Sequence, residues 1–214
     1  VKKLLVILVL LASSFAYAKG TALVEPSIQF ESPQRSVAII DGSLAWTFPS
    51  TGDKLGFYTF FWLQEGWGQV YGGPTWAFTD WLTIGLHVGA EQTLTARLRL
   101  RYAVSALIIK DAFWFYGVAE FYNDALTGKE SLGTMYDVTG KYTVLTQPWL
   151  LLNVGARAHH YVGIGPYVDF FLPDLFSTVW INWAPYEPEG LDLWLRPGEK
   201  FNPGRFWIGW AAGF

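Results

Sequence analysis

His87, Glu91, Arg97, Arg99, Arg101, Glu120, Asp137, Lys141, Asn153, Arg157, His159, Asp169, Asn182 and Arg205 are the residues whose types suit contact with a polar or charged molecule. Acids and bases are interleaved among them. Two arrangements fit such a set. In one, arginines on one wall of a passage face carboxylates on another, and the transverse field favours small polar or zwitterionic solutes. In the other, opposite charges pair off and fill an interior. Covalent chemistry would instead need a nucleophile, a base and an orienting group on neighbouring elements. His159 or His160 with Ser131 or Ser177 and Asp137 are the residues of suitable type. Ser177 and His160 fall at opposite ends of their elements, and none of these residues sits in a catalytic motif. The chain has no cysteine, which removes disulfides, thiolate catalysis and cysteine zinc sites. The residues indicate no catalytic set, no metal site and no cofactor.

The elements that must position these side chains follow from spacing. Leu82, Ile84, Leu86, Val88 and Ala90 share one face, opposite Thr83, Gly85, His87, Gly89 and Glu91. Leu98, Leu100, Tyr102, Val104 and Ala106 likewise oppose Arg97, Arg99, Arg101, Ala103 and Ser105. The same two-residue period runs through 136–144, where Asp137 and Lys141 alternate with apolar residues, and through 150–157, which carries Asn153 and Arg157. A period of two is the signature of strands with unlike faces, and the 3.6 spacing of a helix does not fit.

Composition says where the apolar face must go. Aromatic residues make up 18% of the chain, with 12 Trp, and charged residues only 15%, against roughly 25% in soluble chains. Beyond the first residues no apolar run reaches about 18 residues, the length of a spanning helix. Hydrophobicity distributed by alternation in a lipid-facing chain implies a closed barrel, because an open sheet edge would strand backbone N–H and C=O groups in hydrocarbon. A soluble β-sandwich would leave apolar residues on two faces with few charges to cover them.

Punctuation supports the same architecture. Tight turns are expected near 50–53, 79–80, 110–111, 147–148 and 173–174, and longer polar connections at 123–133 and 185–204. The second holds Pro185, Pro188, Pro197 and Pro203, which cannot donate to a ladder. Strands are expected at 26–33, 36–48, 54–65, 67–78, 81–91, 94–108, 112–123, 134–146, 150–160, 162–171, 175–184 and 205–214. This is an all-β, antiparallel, up-and-down transmembrane barrel of about twelve strands, or ten if the proline-broken first strand and a partner are lost. Trp46, Phe48, Phe78, Trp81, Phe113 and Trp149 fall beside the tight turns, and Tyr122, Tyr161, Trp183 and Tyr186 near the other end, as interfacial aromatic belts do.

Lys2 and Lys3 precede an uncharged apolar run over 4–15 and the small-residue pattern Ala16-Tyr17-Ala18. That is the form of a secretory signal peptide, with residues 1–18 cleaved and 19–214 forming a single domain. Without Lys2 and Lys3 the chain is more acidic still, and a nucleic-acid partner is not expected, since the one basic cluster is explained by strand alternation.

The last strand adds a resemblance. Phe206, Ile208, Trp210, Ala212 and Phe214 occupy alternate positions, opposite Arg205, Trp207, Gly209, Ala211 and Gly213. This resembles the C-terminal strand of Gram-negative outer-membrane β-barrel proteins, which the barrel assembly machinery reads during insertion. The resemblance implies an outer-membrane location, contact with its lipid, and that machinery as a partner. A narrow, porin-like channel for small polar solutes is the function expected. A filled structural or adhesion barrel without conductance is the alternative, and a lipid-modifying acylhydrolase or acyltransferase a further one.

Overall fold

A computed structural model describes residues 19–32, 35–64, 67–93, 99–123, 133–159, 163–184 and 205–213. The expected signal segment and the connections at 124–132 and 185–204 lie outside these residues. The strands are β1 (Lys19–Ser32), β2 (Arg35–Thr47), β3 (Leu55–Gln64), β4 (Trp67–Thr79), β5 (Leu82–Thr93) and β6 (Arg99–Lys110). They continue as β7 (Phe113–Asn123), β8 (Gly133–Gln147), β9 (Leu150–His159), β10 (Gly163–Leu172), β11 (Ser177–Ala184) and β12 (Arg205–Gly213). Each pairs antiparallel with its sequence neighbours, and β1 pairs with β12, so the sheet closes on itself. The count is twelve, and the ten-strand alternative falls away.

The first strand begins at Lys19, seven residues before the start expected from sequence. Pro26 thus falls inside the strand rather than at its start. The ladder between β1 and β12 skips Glu25 and Pro26, so the missing N–H of the proline falls in a gap. The β4–β5 ladder skips Gly73 and Pro74 in the same way.

Alternation becomes two walls. Along β5, Leu86 and Val88 are 61% and 58% exposed, whereas His87 between them is 3% exposed. Leu86 and Val88 therefore face outward and His87 inward. The same outward set includes Ile40, Leu63, Val70, Leu100, Tyr102, Ile181, Phe206, Ile208 and Trp210. An apolar outer wall around a closed ladder is the condition for spanning hydrocarbon. Exposed Phe48, Phe78, Trp81, Trp149 and Phe176 gather at the end carrying the tight turns, while Trp183 stacks on Phe206 nearer the opposite end.

The turns set the register of what lies inside. Pro49–Thr51 forms one 3-10 turn, closed by Gly52 with a left-handed φ of 65°, a conformation glycine adopts without steric cost. Between β6 and β7 the turn is Asp111-Ala112, one residue later than the sequence suggested, with Asp111 at φ 54°. Between β8 and β9, a bulge between Thr143 and Leu145 moves the register by one residue.

Replacing Leu86 with arginine at mid-strand should destabilise the barrel by about 2–4 kcal/mol, and Phe48→Arg at the turn end by about 1 kcal/mol or less. Denaturant titration of the barrel folded into lipid vesicles reads both. Equal costs would argue against hydrocarbon at Leu86.

Candidate functional site

Inward-facing side chains meet in the interior because the strands on which they alternate are curled into one ring. On β5, β6 and β7, near the end with the longer connections, Arg101 is fully buried between two carboxylates. Its Nη2 donates to Glu91, and its Nη1 donates to Glu120 Oε2 at 3.1 Å. Arg99 Nη1 reaches Glu91 Oε1 at 3.4 Å, and Gln69 Nε2 on β4 donates to Glu120 Oε1 at 3.3 Å. A turn centred on Lys110-Asp111 would set Arg101 opposite Glu120, and a loop centred between Glu91 and Arg97 would bring those two together; the register corrects both. Arg101 stands opposite Tyr122, and Glu120 opposite Ala103, because the Asp111-Ala112 turn displaces the pairing; the guanidinium spans the diagonal. Glu91 pairs with Arg99 rather than Arg97, which lies outside the described residues.

A second cluster sits on β8 and β9. A turn near Pro148 predicts Asp137 near His159, and the two do stand opposite each other, thanks to the bulge below them. Its carboxylate is nevertheless held by Arg157, whose Nε and Nη2 donate to Oδ1 and Oδ2 at 2.9 and 2.6 Å. This fork geometry is the strong form of an arginine–carboxylate pair. The Arg157 guanidinium also lies 4.0 Å from the ring centre of Trp207 and 5.2 Å from that of Trp180, within cation–π range. Trp62 stacks on His159 and meets Trp207 edge-on, both at 5.6 Å between centroids. Gly209 makes room for this packing, since a Cβ there would come within 2.2 Å of the Trp180 ring.

Toward the tight turns, Lys141 Nζ bonds Asp169 Oδ2 at 2.5 Å, and Asn153 Nδ2 donates to the other oxygen of Asp169. The ammonium of Lys141 lies 4.7 Å from the Trp114 ring centre. His87 Nε2 hydrogen-bonds Ser105 Oγ at 2.7 Å. Asn182 Nδ2 donates to the Pro166 carbonyl at 3.1 Å. Arg205 lies at the start of β12.

The proposed nucleophile sets do not assemble among the described residues. Ser177 Oγ donates to the Ala211 carbonyl at 3.3 Å and accepts from the Trp210 indole. It begins β11 at the tight-turn end, whereas His159 ends β9 at the opposite end. His160 and Ser131 lie outside the described residues.

Several interior residues were missed from sequence. Glu25 and Asp41 stand directly opposite each other across β1 and β2. Tyr58, Tyr71, Tyr116 and Tyr167 also turn inward. The phase of β1 and β2 was hidden by Pro26 and Pro33. Counting back by twos from Gln29 would have placed Glu25 on the inner wall. The tyrosines carried no signal, because an aromatic on a barrel strand suits either wall.

With this geometry in view, solved structures give a likeness. NanC porin superposes with a TM-score of 0.53, covering 89% of this chain and 98% of that one at 10% identity. The likeness is one of fold, a closed antiparallel β-barrel. A chain solved in a study of the in-meso crystallization of membrane proteins matches similarly, with a TM-score of 0.51, 10% identity, and coverage of 91% of this chain and 83% of the other. No protein-family model matches the sequence, and no curated protein does.

Arg157→Met should cost about 3–5 kcal/mol of stability, because it strands the Asp137 carboxylate without its cation. Adding Asp137→Leu to Arg157→Met should recover most of that loss. Equilibrium unfolding of the two variants and the parent reads the difference; a double variant no more stable than Arg157→Met would show that the pair is not coupled.

Proposed function

We propose that this chain is a narrow channel of the Gram-negative outer membrane for small polar solutes, closed in its resting form by its own side chains. On this reading residues 1–18 direct export and are removed, and the barrel assembly machinery inserts 19–214 through the strand ending in Phe206, Ile208, Trp210, Ala212 and Phe214. The chain carries out no covalent chemistry.

One observation carries the reading: Arg101 and Arg157, both buried, are each bound to carboxylates inside the ring. Well-packed apolar residues of similar volume would serve stability as well or better than buried ion pairs. A wall meant for water and solutes, however, needs such groups, and opposed charges suit polar solutes. Twelve strands at a spacing of about 4.8 Å and a tilt of about 40° give a backbone radius of roughly 12 Å. Tryptophan and arginine side chains from facing walls close that width. Closure by side chains, unlike closure by a separate plug, is reversible by rotamer change.

The filled, non-conducting barrel is the second reading, favoured by the exposures of Arg101, Trp180 and Trp207, which are 0%, 1% and 0%. Planar-bilayer recording separates the two. The channel reading expects small discrete current steps from the unaltered barrel and larger ones from Trp207→Ala. It also expects a changed ion selectivity in the Arg99→Ala, Arg101→Ala double variant. Silence from the unaltered barrel with steps only in Trp207→Ala would establish the filled barrel. Silence from all three would also overturn the channel.

A further inference from the structure

Between the two ion clusters lies a cavity of about 40 Å³, whose lining includes Trp62, Tyr71, Tyr116, Gln69, Glu120 and Asp137. Its wall is chemically one-sided. Among the described residues no lysine or arginine lines it. Arg101 and Arg157 hold Glu120 and Asp137 without themselves entering the wall. The cavity is thus bounded by aromatic rings, by Val118 and Met135, and by polar groups of which the Glu120 and Asp137 carboxylates and the Gln69 carbonyl are acceptors.

Among these acceptors one is left over. Gln69 spends its amide N–H on Glu120, which fixes the orientation of the amide. Its Oε1 is then buried without a hydrogen-bond partner among the described residues, on a residue only 5% exposed. A buried carbonyl oxygen without a donor is costly, so the site calls for a molecule that donates. A carboxylate has about four lone-pair sites, and Glu120 uses one on Gln69 and one on Arg101, leaving capacity for more. An anion entering here would meet carboxylates and π faces, with no lysine or arginine on the wall among the described residues. An ammonium group brings three donors and a positive charge, which suits Gln69, Glu120 and the faces of Trp62 and Tyr71 at once. The volume equals that of about three waters by the same measure, which fits an ammonium head on a short carbon chain. His159, stacked on Trp62, and Tyr136 are the other titratable groups at the wall.

We infer that this cavity binds the ammonium head of a small organic cation. The inference rests on the reading of the barrel as a solute path and narrows the solute class. Calorimetric titration of the full-length barrel folded in detergent tests it without requiring conductance. The probes are n-butylammonium chloride, sodium butyrate and butan-1-ol at matched ionic strength. Saturable heat is expected for butylammonium alone. Gln69→Leu should weaken that binding about tenfold, and Glu120→Gln by about tenfold or more. Tyr116→Leu, which touches neither ion cluster, serves in place of any variant that does not reach the folded gel mobility, and should weaken binding by about threefold. Absence of butylammonium heat, equal heat from butyrate or butanol, or unchanged affinity in the folded variants would overturn the inference. Binding without bilayer current would leave this site standing and remove the channel; current without binding would do the reverse.

Discussion

The pairing of β1 with β12 is the constraint on which the rest of the barrel depends. Backbone groups in hydrocarbon have no water to turn to, so a sheet that spans a membrane must have no edge. Once Leu23 to Phe30 lie along Phe206 to Gly213, each neighbouring ladder is fixed in turn, and every second side chain is committed to one wall. The alternation of Leu86, His87 and Val88 acquires its meaning only from that closure. In an open sheet the same residues would merely mark two faces; in a ring they mark lipid and interior.

Closure also decides how charges are accommodated. Arg101 between Glu91 and Glu120, Arg157 on Asp137, and Lys141 on Asp169 are pairs between different strands of the ring. Each guanidinium or ammonium exchanges hydration for a carboxylate in a protein interior of low dielectric, where breaking a pair is far costlier than a surface ion pair would suggest. The aromatic residues share the task. Trp180 and Trp207 give Arg157 a π surface, and Trp114 does the same for Lys141. Glycines facing these groups supply the room that bulky neighbours need: Gly85 lies against the His87 ring and the Ser105 hydroxyl, and Gly209 against the Trp180 ring.

Much of the fold was legible because strand alternation is a local pattern with a period of two. The tight turns near Gly52, Asp80, Asp111, Pro148 and Pro173 separate strands within a few residues of their expected bounds. Legibility failed where proline masked the period. Pro26 stands inside β1, and the tolerance for it comes from a gap in a ladder with the last strand, which no local pattern records. Glu25 and Asp41 were lost with it. In the same way, the partner of Arg101 depended on whether a two-residue turn began at Lys110 or Asp111. The meeting of Asp137 with His159 depended on a bulge near Thr143.

The amino-acid sequence by itself determined which residues alternate, where the chain turns, and hence that a closed antiparallel barrel with an apolar outer wall is the structure available to it. Those properties arise from backbone geometry and hydration, which act over a few residues at a time. Only the tertiary structure decided that Arg157 chooses Asp137 and two tryptophans, that Trp62, Trp180 and Trp207 converge, and that a small acceptor-lined cavity remains beside Gln69. The reason is that these contacts run between strands, some neighbouring and some, as for Trp62 and Trp207, distant in sequence, and side-chain volume and reach across the ring, rather than pattern along the chain, select among the pairings that alternation permits.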